Sequence, residues 1–233
     1  MSLFRTDAKA IWCGALSGAI GLGLALGLAG AVSADSFERA SKYIDKGKYD
    51  SAVPHLRRGA RKGDARCQFL IGMWSLSGTA MQQDLDDGAI WLRKAAGQGL
   101  PVAQTYFGLL HANGMGVEPS EEKAAEWFRK AANYGEPMGQ AALGAATFLG
   151  GGVPEDRVEA YKWTSLAAEQ GNERAAEYLP LIERELTEQE LADARSRVEA
   201  FAPLKVSGAL HWNPDAKFLD PHTYLRHSTS GGR

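Results

Sequence analysis

The side chains best suited to metal chemistry lie near the end of the chain. His211, His222 and His227 occur there together with Asp215 and Asp220, and imidazole nitrogens and carboxylate oxygens are common zinc ligands. None of their spacings matches a known zinc pattern, and no helical periodicity fixes their relative positions. We therefore expect no metal site and no cofactor.

Two further motifs point to ligand chemistry but have the wrong spacing or context. The stretch DLDDG, residues 84–88, begins like a calcium loop, yet Gly88 and Ala95 stand where oxygen ligands are required. The glycines within residues 21–27 follow no predicted strand, so they do not form a dinucleotide fingerprint. The sequence also has no nucleophile elbow, paired CxxC or phosphate loop. We predict no catalytic residues and no enzymatic activity.

The overall composition is that of a globular protein. The chain has 233 residues, of which 45% are hydrophobic and 23% charged, and its formal net charge is −2. Nucleic-acid binding normally requires a basic face or a high isoelectric point. This composition argues against disorder throughout and against nucleic acid as a partner.

The chain repeats itself at an interval of 36 residues, as the register of Trp91, Trp127 and Trp163 illustrates. A fixed interval of this length is typical of a repeat architecture. The same interval relates Gly63, Gly99, Gly135 and Gly171; Gly72, Gly108 and Gly144; Gly78, Gly114 and Gly150; Ala60, Ala96, Ala132 and Ala168; and Gln68, Gln104 and Gln140.

Each repeat unit predicts a pair of helices. An apolar stretch with helical spacing, helix A, ends at Gly78, Gly114 or Gly150, where glycine can adopt a left-handed conformation. Asp84, Ser120 and Asp156 can then cap a second helix, helix B. Because such pairs cannot bury their apolar faces alone, they must stack on their neighbours. The predicted fold is all-α, a right-handed α-α superhelix of stacked antiparallel helix pairs.

One stretch, AQTYFGLLHANGMGVEPSEEKAAEWFRKAANYG at residues 103–135, resembles the Sel1-like repeat of the tetratricopeptide-like superfamily over its whole length. Residues 136–171 match well, whereas residues 64–99 lack the second glycine and the valine of the loop. Residues 37–60 resemble a plainer tetratricopeptide unit. We expect residues 35–201 to form the solenoid with a C-terminal helical cap, and residues 202–233 to form an irregular tail.

The resemblance implies adaptor work, because proteins of this family hold partner proteins together and their repeats carry no catalytic residues. The family's geometry places one set of helix A side chains on the inner curve. Carried over position by position, this concave groove consists of Arg66, Phe69, Met73 and Leu76; Val102, Thr105, Leu109 and Ala112; and Met138, Ala141, Ala145 and Phe148. Such a surface is more apolar than a solvated one should be, so we expect something to cover it.

The predicted tail is a candidate to cover the groove. It is broken by Pro203, Pro214 and Pro221, yet it carries apolar side chains that include Leu210 and Trp212. A segment that stays solvated has little use for so much apolar surface. Two alternatives remain open: the tail docks on the solenoid, or it stays disordered until a partner binds.

The N-terminus has the order of a secretory signal. Arg5 and Lys9 precede an uncharged run at residues 10–33, and small side chains at Val32 and Ala34 end it. We expect cleavage after Ala34 and export, with the periplasm as the destination. The alternative is an inner-membrane anchor through residues 10–33, a run long enough to span a bilayer.

A basic run, HLRRGARKGDAR at residues 55–66, offers a patch for an acidic partner or for anionic lipid head groups. Its plainer interpretation is the solvated face of the first repeat. A peripheral association with the cell envelope is therefore one expectation for this end of the chain.

These features together favour an exported, non-enzymatic adaptor that binds a protein partner in the groove. The alternative function is an accessory or regulatory subunit of a cell-envelope enzyme that acts on cell wall or exopolysaccharide. A hydrolase in its own right is disfavoured, because no catalytic constellation is present.

Overall fold

The computed structural model describes residues 35–206, together with Leu210, Trp212 and Pro214. The predicted signal peptide at residues 1–34 and the remainder of the predicted tail lie outside the described residues.

The described chain is a succession of short helices, each 12 or 13 residues long from α2 onwards. Helix α1 occupies residues 35–44. The helices that follow it are α2 (Tyr49–Arg61), α3 (Ala65–Ser77), α4 (Leu85–Gly97), α5 (Pro101–Asn113), α6 (Glu121–Asn133), α7 (Pro137–Leu149), α8 (Arg157–Glu169), α9 (Glu173–Arg184) and α10 (Glu188–Glu199).

The predicted helix boundaries are confirmed at atomic detail. Asp84, Ser120 and Asp156 precede α4, α6 and α8, and each side chain accepts a hydrogen bond from the backbone N–H three residues later. This bond satisfies an amide that has no partner within the helix. At the other end, α3, α5 and α7 stop at Gly78, Gly114 and Gly150, whose φ angles are 75°, 66° and 70°. Glycine adopts this left-handed conformation with no Cβ penalty.

Helices A and B of one unit approach closely at a glycine. A Cβ built on Gly72 would lie 2.9 Å from Cγ of Leu92, and one built on Gly108 would lie 2.6 Å from the ring of Phe128 and 3.1 Å from the carbonyl oxygen of Ala124. A real Cβ cannot fit at these distances. The absence of side chains at these positions is therefore what sets the spacing within each pair.

Neighbouring pairs stack through small residues and a repeated glutamine. The side-chain amides of Gln68, Gln104 and Gln140 donate to the carbonyl oxygens of Ala60, Ala96 and Ala132 in the preceding helix B. These alanines are almost completely buried. One side-chain hydrogen bond thus recurs at each of these junctions and fixes the register between units.

The apolar core runs along the stack in consecutive clusters, from α1 to the helices of the C-terminal end. Helices pack mainly on their sequence neighbours, and α10 packs on α8. This arrangement confirms the predicted all-α repeat solenoid of antiparallel helix pairs. Among the residues that the structure describes, no helix is both long and apolar enough to cross a membrane.

The loop of the unit at residues 64–99 keeps its left-handed turn although it lacks the second glycine. Gly116 and Gly152 have φ angles of 65° and 73° in the later loops, and Ala80 at the equivalent position has a φ of 53°. This conformation costs an L-residue about 1 kcal/mol or more. Met81, the next residue, packs against the core, which offsets the strain.

We expect Gly108→Ala to destabilise the protein. Displacing the Phe128 ring costs about 1–3 kcal/mol, which outweighs the gain of at most ~1 kcal/mol in helix propensity. The matched control is Gly97→Ala at the end of α4, where a Cβ meets no heavy atom within 4 Å, so stability should stay equal or rise. Urea-induced unfolding followed by circular dichroism measures both. Equal stability of the two variants would contradict the close approach.

Candidate protein-binding groove

The twelve residues predicted to line the groove lie on α3, α5 and α7, but they differ widely in exposure. Phe69, Val102 and Thr105, towards the N-terminal ends of α3 and α5, are buried. Ala112 and Ala145, towards the C-terminal ends of α5 and α7, are exposed. The remaining positions are half-buried or buried: Arg66, Met73, Leu76, Leu109, Met138, Ala141 and Phe148.

Two of these side chains pack towards neighbouring helices. Leu76 lies against α4, since a Cβ on Gly88 would come within 2.7 Å of its Cγ. Phe148 packs against the C-terminal core cluster, which contains Tyr161 and Ile182. Leu76 and Phe148 therefore contribute more to packing than to an open surface.

The exposed positions of the predicted groove carry small apolar side chains, which together with Leu149 we call the exposed strip. Ala145 is exposed, and Leu149, one helical turn further along α7, has 77% of its surface open to solvent. Ala112 near the end of α5 is exposed as well, and its counterpart at the repeat interval is Phe148, the residue before Leu149. An exposed leucine beside small apolar residues is a surface that a protein partner can cover at little desolvation cost.

Two buried residues of the predicted groove, Phe69 and Val102, lie next to the described portion of the predicted tail. We call this portion the docked tail; it consists of residues 202–206, Leu210, Trp212 and Pro214. The Trp212 ring lies edge-on to Phe69, with ring centroids 5.8 Å apart, and edge-on to Phe37 of α1 at 5.5 Å. Leu210 packs against the same core cluster. Of the two alternatives for the tail, docking is the one that these residues adopt.

The docked tail crosses the solenoid from its C-terminal end towards its N-terminal end. Phe201, just before it, packs edge-on against Trp163 of α8 with centroids 5.4 Å apart. The backbone N–H of Leu204 donates to the carbonyl oxygen of Asn133 at 2.8 Å, and Pro203 lies over Gly135. Residues 201–206 adopt neither helix nor strand, so this part of the chain lies on the solenoid as irregular chain.

The tail meets the stack where the repeat pattern changes. The side-chain amides of Gln98 and Gln170 donate to Oε1 of Gln68 and Gln140, at 2.6 Å and 2.7 Å. Tyr134 occupies the equivalent position of the middle unit, and Oε1 of Gln104 is buried without a hydrogen-bond partner among the described residues. Tyr134 instead lines a cleft of about 710 Å³ beneath the docked tail.

Glu136 is a buried carboxylate at the edge of this cleft. It caps α7 by accepting from the backbone N–H groups of Met138 and Gly139, and it accepts a short hydrogen bond from the hydroxyl of Thr105. Burial raises the pKa of the Glu136 carboxyl above its usual range, whereas these three hydrogen bonds act in the opposite direction. Thr105, predicted for the groove, thus joins α5 to the start of α7.

The histidine and cysteine side chains of the repeats are placed for packing. His111 lies edge-on to Phe107 at 4.9 Å, and its Nδ1 is 3.2 Å from the carbonyl oxygen of Glu118. Cys67 is fully buried, and desolvation raises the pKa of its thiol well above the usual range. Within the described part of the chain, no three His, Cys, Asp or Glu side chains are close enough together to hold a metal ion.

Phe37 also belongs to this surface, although it was not among the predicted groove residues. Its ring contacts Trp212, and the Arg66 guanidinium stacks 3.9 Å from its centre. Phe37 lies outside the 36-residue repeat, so periodicity gave no signal for it. The departure at Tyr134 was visible, because Gln98 and Gln170 flank it at the repeat interval.

Comparison with known proteins gives a consistent picture. The model of the Sel1 repeat family matches residues 65–100, 101–135 and 137–172. A protective antigen from uropathogenic Escherichia coli strains, which displays an SLR fold, superposes with a TM-score of 0.67 and 26% identity; the match covers 86% of this chain and 41% of the antigen. This chain therefore spans about two fifths of the antigen's length.

A Sel1 repeat protein from Oxalobacter formigenes is 40% identical, with a TM-score of 0.50, over 54% of this chain and 94% of that protein. Among curated proteins, no sequence matches significantly.

The buried Glu136 gives the stability of the protein a definite pH dependence. Because its pKa is raised on folding, its contribution to stability is complete below the unfolded pKa and is lost as the pH rises through the folded pKa. Glutamine keeps an oxygen acceptor for the two amides and does not titrate. We expect Glu136→Gln to gain stability relative to the wild type as the pH rises from acidic to neutral, as measured by urea unfolding at several pH values.

The control for this experiment is Glu190→Gln in the capping box of α10. A hydrogen bond with the backbone of Thr187 lowers the pKa of Glu190, so its contribution is present above the unfolded pKa and is lost as the pH falls. The Glu190→Gln protein should therefore lose relative stability as the pH rises. Trends of the same sign in both variants would refute the assigned environment of Glu136.

Proposed function

Since this chain belongs to the Sel1 repeat proteins, we propose that it is an exported scaffold without catalytic activity, which holds a protein partner in its concave groove. The observation that carries this proposal is the docked tail. An irregular apolar segment already lies on Phe69 and beside Val102, so this surface is suited to receiving a peptide.

The exposed strip at Ala112, Ala145 and Leu149 supports the same proposal. Its residues lie on α5 and α7, the helices that carry most of the predicted groove, and their apolar side chains are exposed. A partner that seats here buries apolar surface on both sides, which favours binding by about 25 cal/mol for each Å².

We place the protein in the periplasm, because the signal-like segment ends in small residues before Asp35. Arg57, Arg58, Arg61 and Lys62 are exposed on or next to α2. Their charge supports a peripheral contact with anionic head groups at the envelope, which weakens as salt is added.

The second candidate function, an accessory subunit of an envelope enzyme acting on cell wall or exopolysaccharide, uses the same groove. It differs only in what the partner does. A partner whose catalytic rate changes when this chain is added would identify the protein as a regulatory subunit, whereas an unchanged rate favours a scaffold.

We expect Ala112→Glu combined with Ala145→Glu to abolish capture of the partner from an envelope extract by the tagged protein. Two carboxylates in the strip would have to be desolvated in the complex, at a cost of several kcal/mol. Helical content should not change, because both alanines are exposed. The control is Ala192→Glu with Ser196→Glu, which adds the same charge to exposed positions of α10. Stoichiometric capture by the groove variant would remove the groove from consideration.

Export makes a separate prediction about the N-terminus. The protein recovered from a periplasmic fraction should begin at Asp35, as determined by intact mass, because the small Ala34 precedes the expected cut. Ala34→Arg should block processing and leave the precursor with the membrane. If the wild type keeps residues 1–34 and stays membrane-bound, the anchor through residues 10–33 is the correct alternative.

A further inference from the structure

The docked tail contains a side chain, Trp212, that lies between aromatic rings of the solenoid. Trp212 contacts Phe37 of α1 and Phe69 of α3, and Phe69 in turn lies edge-on to Tyr106 of α5 at 5.5 Å. The guanidinium of Arg66 stacks on Phe37 and is held by a salt bridge of 2.9 Å to Asp64. Three helices from successive units thus form an aromatic pocket.

The tail is attached in a manner typical of a peptide ligand. Its described contacts concentrate in two places: the backbone hydrogen bond of Leu204 with Pro203 over Gly135, and the packing of Leu210 and Trp212. The Leu204 side chain is 56% exposed, and the cleft beneath the tail is lined by Val102, Tyr134 and Glu136. A segment that belongs to the core would fill this cleft, whereas a ligand held at two points can leave the cleft open.

We propose that the aromatic pocket is a peptide-binding site which the chain's own tail occupies, and that the partner enters as a segment carrying a tryptophan two residues after an aliphatic side chain. This inference rests on the proposed binding function of the groove. The partner's tryptophan replaces Trp212 between Phe37 and Phe69, and the tail is released. The tail therefore sets a threshold of affinity: a partner displaces it only if the partner binds the pocket more favourably than the tethered segment does.

The size of this threshold depends on how often the tethered tail occupies the pocket. A segment attached by a short linker competes at an effective concentration of roughly millimolar. The apparent affinity of an added peptide falls in proportion to the fraction of empty sites. If the tail occupies about nine tenths of the sites, removing its anchor raises the apparent affinity on the order of tenfold.

The test uses a fluorescent peptide with the sequence of residues 199–216, EAFAPLKVSGALHWNPDA. Fluorescence anisotropy gives its affinity for the full chain and for the full-length Trp212→Ala variant. We expect binding to Trp212→Ala to be about tenfold tighter than to the wild type, and no binding of a peptide with alanine at the tryptophan position. Tyr178→Ala, which removes an exposed aromatic ring of α9, should match the wild type.

A second measurement reports on the tail itself. Trypsin should cut after the exposed Lys205 faster in Trp212→Ala than in the wild type. Equal peptide affinities, absence of peptide binding to Trp212→Ala, or unchanged cleavage would each overturn the proposal. A loss of helical content in Trp212→Ala would overturn it too, because a residue whose removal unfolds the solenoid belongs to the core.

A dimer that dissociates in Trp212→Ala would show that the tail comes from a second copy, which contradicts occupation within one chain. The proposed binding function is tested separately at Ala112 and Ala145. Loss of partner capture there, combined with equal peptide affinities here, would leave the groove function intact and remove only the role of the tail.

Discussion

The close approach of two helices at a glycine is the constraint on which the rest of this structure depends. At Gly72 and Gly108 the backbone of helix A has no side chain, so Leu92 and Phe128 of helix B pack directly on it. Tight packing of this kind leaves one favourable separation and crossing angle. Because the constraint recurs every 36 residues, each pair has nearly the same shape. Stacked identical shapes form a curved surface on which equivalent helix A positions lie in rows.

The register between neighbouring helix pairs depends on glutamine hydrogen bonds, which are weaker and less regular than the packing at the glycines. The glutamine side chains donate to carbonyl oxygens at each of three junctions, but their own oxygen atoms are paired by a second glutamine at only two. Tyr134 breaks the pattern at the middle junction, where Oε1 of Gln104 is buried without a hydrogen-bond partner in the described part of the chain. A buried oxygen left without a partner costs about 1–3 kcal/mol. The neighbouring Asn133 carbonyl binds the tail. The site where the tail docks thus coincides with the least regular junction of the stack.

The 36-residue periodicity was enough to predict the fold, but it did not predict most of the contacts in the candidate site. The roles of Gly78 and Gly108 could be predicted because glycine recurs at the repeat interval. The role of Asp84 could be predicted because the positions one and two repeats later also carry helix-capping residues. Phe37 and Trp212 lie outside the repeated pattern, so periodicity carried no signal that their rings are in contact. The buried hydroxyl of Thr105 donates to Glu136, which begins the following unit, so its partner is not visible within its own repeat. Ala80 shows the opposite case: the backbone keeps the shape of its relatives without the glycine that signals it.

The docked tail adds a contact between distant helices that the stacking of neighbouring units does not provide. A repeat stack is stabilised by contacts between neighbours, so its two ends behave independently except through the units between them. A segment that leaves α10, binds at Asn133 and inserts Trp212 against α1 connects the last unit to the first helix. Its release would remove that connection and leave only nearest-neighbour coupling. A partner that displaces the tail would therefore both occupy the groove and free the two ends of the stack to move independently.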